Sequence, residues 1–291
     1  MPRLRIIHET RYQYRRPLRF GRHRLVLRPR EGHDLQVERM ELLVQPKCVL
    51  EWTRDVFGNS IAWAEFLEEA QELEFVSRVQ VLRGEILTSP VQAPVIVPYP
   101  VVYEELETTG AGAYVIPTYP DEAASLAVWT KAALAGLPQD DALTIIAALN
   151  GAINRTIRYR RRDDKGVQHP LETVGHGSGS CRDLATLLME ASRTLGVAAR
   201  FASGYLDCPA AFVGRASTHA WAEVYLPGRG WTGFDPVLGT RTDRRHIAVG
   251  VSNHPRGVMP ISGRFFGSGS DYLGMKVAVT FERVEKSQAP V

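Results

Sequence analysis

One cysteine, one histidine and one aspartate stand in contexts that suit nucleophilic catalysis. Cys181 follows Gly175-His-Gly-Ser-Gly-Ser and precedes Arg182-Asp183-Leu184-Ala185. Glycines deliver the chain to a helix whose apolar face reads Leu184, Leu187, Leu188, Ala191 and Leu195, closed by Gly196. Ser180 is an N-cap residue, and Asp183 at the third helical position completes a capping-box-like pair. Cys181 is thereby placed in the first helical turn, where unpaired N–H groups and the positive end of the dipole favour a thiolate. Cys48, just before a predicted strand, and Cys208, just before Pro209, read as inert thiols.

A thiolate nucleophile needs a base to take and return its proton, and the base needs an anion to hold its tautomer. Thr218-His219-Ala-Trp-Ala-Glu-Val-Tyr-Leu226 alternates as a strand, Pro227-Gly-Arg-Gly230 turns the chain, and Trp231-Thr-Gly-Phe-Asp235 returns it. A three-residue loop would pair Leu226 with Gly230 and set Asp235 diagonal to His219 on one face, with Cβ spacing of up to ~7–8 Å. A two-residue loop would turn the two side chains to opposite faces. Cys181, His219 and Asp235 are thus the candidate catalytic residues, on condition of the first register.

Other chemistries fail on residues. The glycines at 175, 177 and 179 form neither phosphate-binding pattern, and neither Ser178 nor Ser180 has glycine two residues on each side. His8, His23, His33, His169, His176, His246 and His254 form no helical i, i+4 pair or Cys/His cluster, so no metal and no cofactor is expected. His176, between glycines, reads as solvent-facing.

At these residues the sequence resembles the bacterial transglutaminase-like family of the papain-like superfamily. The matching segments are Gly179-Ser-Cys181-Arg-Asp-Leu-Ala, Ala199-Arg-Phe-Ala-Ser-Gly-Tyr-Leu206, Ser217-Thr-His219-Ala-Trp-Ala-Glu-Val-Tyr-Leu-Pro-Gly and Gly230-Trp-Thr-Gly-Phe-Asp235-Pro. Tyr12-Gln-Tyr14 and Arg22-His-Arg-Leu-Val-Leu-Arg-Pro29 resemble the β-rich domain that precedes the core in that family. Val237 stands where threonine would be expected. The resemblance implies Cys181 as nucleophile, His219 as base, Asp235 as its partner, and acyl transfer through a thioester on a peptide or protein substrate. Water would resolve the acyl-enzyme in a protease or amidase, an amine in a cross-linking transamidase. Animal relatives use calcium, but no acidic Asp-x-Asp-x-Asp loop occurs here.

The elements that must position these residues fall into two halves. The 291 residues are 44% hydrophobic and 23% charged, ordinary globular values. Three cysteines, far apart, argue against a disulfide framework. No apolar run approaches the ~18–20 residues that span a bilayer, and the start alternates as a strand instead of offering a signal peptide, so a cytoplasmic protein without membrane contact is expected. Strand candidates are Leu4 onward, Arg22–Arg28, Gln36–Val44, Val49–Asp55, Ser60–Phe66 and Leu73–Leu82, with a turn at Gly58-Asn59.

A proline-rich stretch from Pro90 to Pro120 reads as an extended connector. Helices follow over Asp121–Ala135, from near Pro138 through Ile157, and over Cys181–Leu195. Strands come next at Ala198–Leu206, His219–Leu226, Trp231–Phe234, Ile247–Val251 and Lys276–Val284. The expected fold class is α+β: an antiparallel β-sandwich-like domain over residues 1–105, then a papain-like transglutaminase core over 106–291, helices on an antiparallel sheet with C-terminal strands.

Net charge is +3, yet residues 1–30 hold ten arginines against Glu9 alone, and Arg158, Arg160, Arg161 and Arg162 form a second basic knot. A basic face can recruit nucleic acid. With no nucleic-acid motif present, these arginines read instead as the solvated face of a sheet, partly paired with the acidic run Glu65, Glu68, Glu69, Glu72 and Glu74. A non-catalytic module working through this basic domain is the competing function.

Overall fold

A computed structural model describes residues 3–84, 96–137, 140–162, 166–207 and 218–284. Six strands open the chain: β1 (Arg3–Phe20), β2 (His23–Leu25), β3 (Leu35–Gln45), β4 (Cys48–Arg54), β5 (Ser60–Phe66) and β6 (Ala70–Arg83). In β1 the alternate residues Leu4, Ile6, His8, Thr10 and Tyr14 are buried while Arg5, Glu9 and Arg11 face solvent, as a half-buried strand requires. The core unit follows with α1 (Glu105–Val115), α2 (Ala123–Ala133), α3 (Ala142–Thr156), β7 (Arg158–Tyr159), α4 (Pro170–His176), β8 (Ser178–Gly179) and α5 (Cys181–Thr194). Then come β9 (Ala199–Leu206), β10 (Thr218–Leu226), β11 (Gly230–Asp235), β12 (Thr240–Arg241) and β13 (His246–Ser252). Three strands close the chain: β14 (Ile261–Ser262), β15 (Phe265–Phe266) and β16 (Tyr272–Val284).

The architecture is α+β, with two sheets of a sandwich ahead of a core of helices on a third. One sandwich sheet runs β15-β1-β6-β3 with β16 also on β1; the other runs β14-β2-β5-β4. Tyr14, Leu18, Phe20, Leu25, Ala64, Leu73 and Phe75 fill the space between them. The core sheet is antiparallel in the order β12-β11-β10-β9-β13. The last strand departs from the expected core arrangement: β16 pairs with β1 from Arg3↔Val284 to Tyr14↔Tyr272 and so belongs to the sandwich. A long first strand flanked on one side by β6 alone would leave an open edge, and the chain's end closes it.

Three local readings are corrected. The proline-rich connector holds a helix, α1, whose capping pair is Glu104 and Glu107; its Glu-Thr-Thr-Gly-Ala-Gly-Ala composition hides any apolar period. The second helix begins at Ala142, capped by Asp141, whose Oδ2 accepts Thr144 N at 3.0 Å. Pro138, read near its start, lies outside the described residues, as does Cys208. The glycine run before Cys181 is ordered: Pro170 at the first position starts α4, Gly177 ends it with φ +57°, and Ser178–Gly179 forms β8 in parallel pairing with β7.

The N-terminal arginines are extensively paired: Arg3 with Glu38, Arg5 with Glu282, Arg11 with Glu72 and Glu74, Arg16 with Asp271, Arg22 with Glu51 and Arg24 with Asp55. Only Arg11 in this set uses the acidic run named above. Most are half-exposed pairs that add little stability one by one, and they compensate the charge of the face.

The sandwich and the core share apolar residues. Leu4, Ile6, Val79, Val81 and Val279 pack in one cluster with Tyr205 of β9 and Ile247 and Val249 of β13. Burial pushes His8 down to about 4, so it meets Tyr205 Oη, 3.0 Å away, as a neutral ring. Asn59, after the Gly58 turn (φ +74°), is fully buried. Its amide donates to Val251 O at 2.8 Å, and its Oδ1 accepts Val251 N at 2.9 Å. The side chain thus imitates one strand pair across the junction. Asn59→Ala leaves both Val251 groups unmatched and is expected to lower unfolding free energy by about 2–4 kcal/mol, measured by urea titration; a change under about 0.5 kcal/mol, the ordinary surface value, would refute the bridge.

Candidate active site

The helix that carries Cys181 is buried along nearly its whole length. The sequence marked one apolar stripe; in the fold Asp183, Thr186, Glu190, Ser192 and Arg193 are buried as well, because the sheet covers one side of α5 and the other helices cover the rest. Each polar group is matched internally. Thr186 Oγ1 donates to Arg182 O and Ser192 Oγ to Leu188 O. Arg193 donates to Glu190 at 2.6 Å, to Ala199 O and to Asn253 O.

The N-terminus of α5 is fixed with equal care. Asp183 Oδ2 accepts Ser180 N at 2.7 Å, Ser180 Oγ at 2.8 Å and Arg162 Nε at 2.9 Å, and its Oδ1 accepts Gln168 N at 2.8 Å. The capping pair expected from Ser180 and Asp183 is present and extended by Arg162, one of the basic knot. Gly179 lies so close to this group that a Cβ there would meet Asp183 Cβ at 2.8 Å. On the other side β7 locks to β8 through Arg158 N to Gly177 O (2.8 Å) and Arg160 N to Gly179 O (2.7 Å). Cys181 emerges half-buried at the first turn, its side chain against the main apolar core. His176 is the last residue of α4; its exposed ring, as expected, faces solvent, and its Nδ1 lies 3.0 Å from Gln168 Nε2.

The hairpin adopts the register the site requires. Leu226 pairs with Gly230, Tyr225 with Trp231 and Ala222 with Phe234. Alternation turns Ala220, Ala222, Val224 and Leu226 into the cluster under α5. His219, at the start of β10, takes the other set of positions with Trp221, and Asp235 closes β11 beside it. His219 Nε2 lies 2.8 Å from Asp235 Oδ2, both side chains buried. With Nε2 committed, Nδ1 remains for Cys181, whose side chain hydrogen-bonds this ring. The structure therefore brings all three residues together. Their neighbours leave room by design of the backbone: Gly204 stands opposite His219, and a Cβ there would meet Ile247 O at 2.1 Å.

Burial alone would pull His219 down. The hydrogen bonds to Asp235 and Cys181, with their charges, overcome it and raise the imidazole to about 10. Burial likewise pushes Asp235 upward, but hydrogen bonds and charge from His219 and His246 hold the carboxyl far below its usual range. At neutral pH the pair is imidazolium and carboxylate.

Two residues escaped the sequence reading. Tyr159 on β7 faces Cys181: burial, then the neighbouring Cys181, pushes its phenol up to about 12. His246 at the start of β13 is buried with Nε2 3.0 Å from Asp235 Oδ2, the same oxygen that meets His219. His246, expected to join no cluster, thus converges with His219 and Asp235 of the β10–β11 hairpin. Donor atoms of His219, Asp235 and His246 lie within 4.8 Å of one another, the one group among the described residues that could hold a cation. The N–O separations are those of charge-assisted hydrogen bonds, complete as they stand. A His that opens the last core strand is the available signal for His246, but nothing in sequence says that β13 pairs with β9.

With this geometry in view, two regions match known families: residues 4–82 the bacterial transglutaminase-like N-terminal region, and residues 131–236 the transglutaminase-like superfamily. Residues 131–236 are thus similar to a transglutaminase-like core. An uncharacterized protein of Mycobacterium bovis is 28% identical over 276 residues, 90% of this chain and 87% of that protein. One of Mycobacterium leprae is 31% identical over 114 residues, 38% of this chain and 40% of its own length. The crystal structure of a "putative cysteine protease" from Cytophaga hutchinsonii has the same fold, with TM-score 0.74, 16% identity and coverage of 99% of this chain and 93% of the other. The transglutaminase-like core supports thiol-dependent catalysis and leaves hydrolysis and transamidation both open. No described helix is long and apolar enough to cross a membrane.

The ion pair has a pH window. A raised histidine contributes stability that is full below its unfolded value and lost as pH climbs through the folded one; a depressed aspartate contributes stability that is present above its unfolded value and lost in acid. The contribution of the pair is therefore greatest between about pH 4 and 6.5 and fades toward pH 10. Asp235→Asn is expected to bring the His219 titration, followed by NMR of the ring protons, down from about 10; an unmoved titration would show that Asp235 does not hold the imidazolium.

Proposed function

We propose that this protein is a cysteine amidase or protease that cleaves peptide or amide bonds of a peptide or protein substrate through a thioester on Cys181. The observation that carries the reading is the chain of contacts from half-buried Cys181 to the buried His219 and Asp235, with Nε2 of the ring on the carboxylate, so that Nδ1 is the ring nitrogen left for the sulfur. The Cys181 thiolate attacks the substrate carbonyl carbon and pushes its π electrons onto oxygen. The Cys181 backbone N–H, at a helix start where amides have no intrahelical acceptor, is a donor for that oxyanion. The His219 imidazolium then gives its Nδ1 proton to the leaving nitrogen, the C–N bond breaks, and a thioester remains. Water attacks the thioester, neutral His219 takes its proton, and the carboxylic acid departs as the thiolate–imidazolium pair is restored. An amine in place of water would make the same site a transamidase.

The paired arginines of the sandwich favour this over a nucleic-acid module, since their charge is already answered within the chain. Burial pushes the Cys48 thiol up, so iodoacetamide at neutral pH is expected to label Cys181 ahead of Cys48 and Cys208, read by peptide mass spectrometry. A peptide library incubated with and without a primary amine separates hydrolysis from transamidation. Cys181→Ala is expected to abolish turnover, and His219→Ala to lower it by about 10²–10⁴-fold, the usual share of general acid–base catalysis. Equal labelling of the three thiols, or turnover that survives Cys181→Ala, would end the proposal.

A further inference from the structure

Asp235 has two imidazole partners where the proposed mechanism uses one. We infer that His246 is a positioning residue of this site: it donates its Nε2 proton to Asp235 Oδ2 and keeps the carboxylate an oriented anion in front of His219. The inference rests on the roles of Cys181, His219 and Asp235 proposed above.

The hydrogen-bond directions follow from the partners. Asp243 N donates to His246 Nδ1 at 3.1 Å, so that nitrogen is an acceptor and carries no proton. Asp243 Oδ1 stands farther off, at 3.4 Å. A neutral ring with a bare Nδ1 has its proton on Nε2, and Nε2 lies 3.0 Å from Asp235 Oδ2. The turn before β13 thus selects the tautomer that can donate to the carboxylate.

The carboxylate needs that donor. Asp235 is fully buried, and an ionised carboxylate offers about four acceptor positions. Oδ1 accepts Val237 N at 2.9 Å and Leu238 N at 3.3 Å; Oδ2 meets His219 at 2.8 Å and His246 at 3.0 Å. Without His246, one side of Oδ2 would be left without a donor, in surroundings that include the Trp221 ring, which packs edge-on against His246 at 5.3 Å. An oxygen so exposed to apolar surface favours the neutral acid, and a neutral Asp235 no longer holds the imidazolium that Cys181 requires. His246 touches neither the sulfur nor the scissile bond in this scheme; it acts through Asp235.

Two substitutions separate donation from packing. His246→Gln keeps an N–H in place of Nε2 and loses the ring; His246→Phe keeps a ring against Trp221 and loses the N–H. The readout is the iodoacetamide rate of Cys181 at neutral pH, with thermal unfolding as a fold check and Asp235→Ala as reference. His246→Phe is expected to slow alkylation about tenfold, toward the Asp235→Ala rate, and His246→Gln to stay within about twofold of the parent, as the loss or retention of one hydrogen bond to a buried charge implies. A parental rate in His246→Phe beside a slow Asp235→Ala, or a Gln variant slower than the Phe variant, overturns the role of His246 alone. A parental rate in Asp235→Ala overturns the underlying site. Should the variants not fold, ¹⁵N NMR of the parent protein decides: a bare Nδ1 and protonated Nε2 on His246 are expected, and a protonated Nδ1 refutes the donation.

Discussion

A carboxylate with no water around it can stay charged only if protein donors fill its lone pairs, and the rest of this structure is organised around meeting that condition at Asp235. Two backbone amides of the turn after β11 serve one oxygen; two imidazoles from β10 and β13 serve the other. Strands far apart in sequence must therefore arrive in one register and at one end of the sheet. The hairpin places Asp235 beside His219, while β13 reaches the same oxygen from across β9. A slip of one residue in β10 or β11 would turn the ring or the carboxylate to the opposite face.

That requirement gives the sandwich a part in the site. The strand that bears His246 packs against the N-terminal sheets through Ile247 and Val249, and Asn59 completes the pairing of Val251 from across the junction. Arg30 N adds a hydrogen bond to Ala248 O at 2.8 Å. The N-terminal half is thus a wall that holds one strand of the core sheet in place, and much of its arginine charge is paired with carboxylates of the same chain. The far side of the core works similarly: α5 is buried on all sides, so its polar residues are spent on fixing the helix whose first turn carries Cys181.

Much of this was legible along the chain. Period-2 alternation located β1 to β6 to within a few residues, since a half-buried strand must alternate, while the two-residue strands β14 and β15 are too short to show it. The Ser180–Asp183 pair marked the helix start, and the Pro227-Gly-Arg-Gly230 turn announced the hairpin but allowed two registers, of which the structure takes the one that joins His219 to Asp235. What escaped detection lacked a local pattern. The Gly-Ala composition of α1 has no apolar period. The ordered α4–β8 passage looks like a flexible glycine run until Pro170 and Gly177 are weighed as helix start and stop. The polar residues of α5 look like a solvated face, because nothing local records that other helices cover them.

By itself, then, the sequence determined the chemistry on offer: the thiol at a helix start, an imidazole and a carboxylate on adjacent antiparallel strands, and the α+β class, all of which follow from short-range propensity, turn length and side-chain type. Only the tertiary structure decided which groups share an oxygen. His246 meets Asp235 because β13 folds back on β9, and β16 closes the first sheet because β1 has a free edge; both are pairings between remote segments, set by the burial of whole faces and not by any spacing that can be read along the chain.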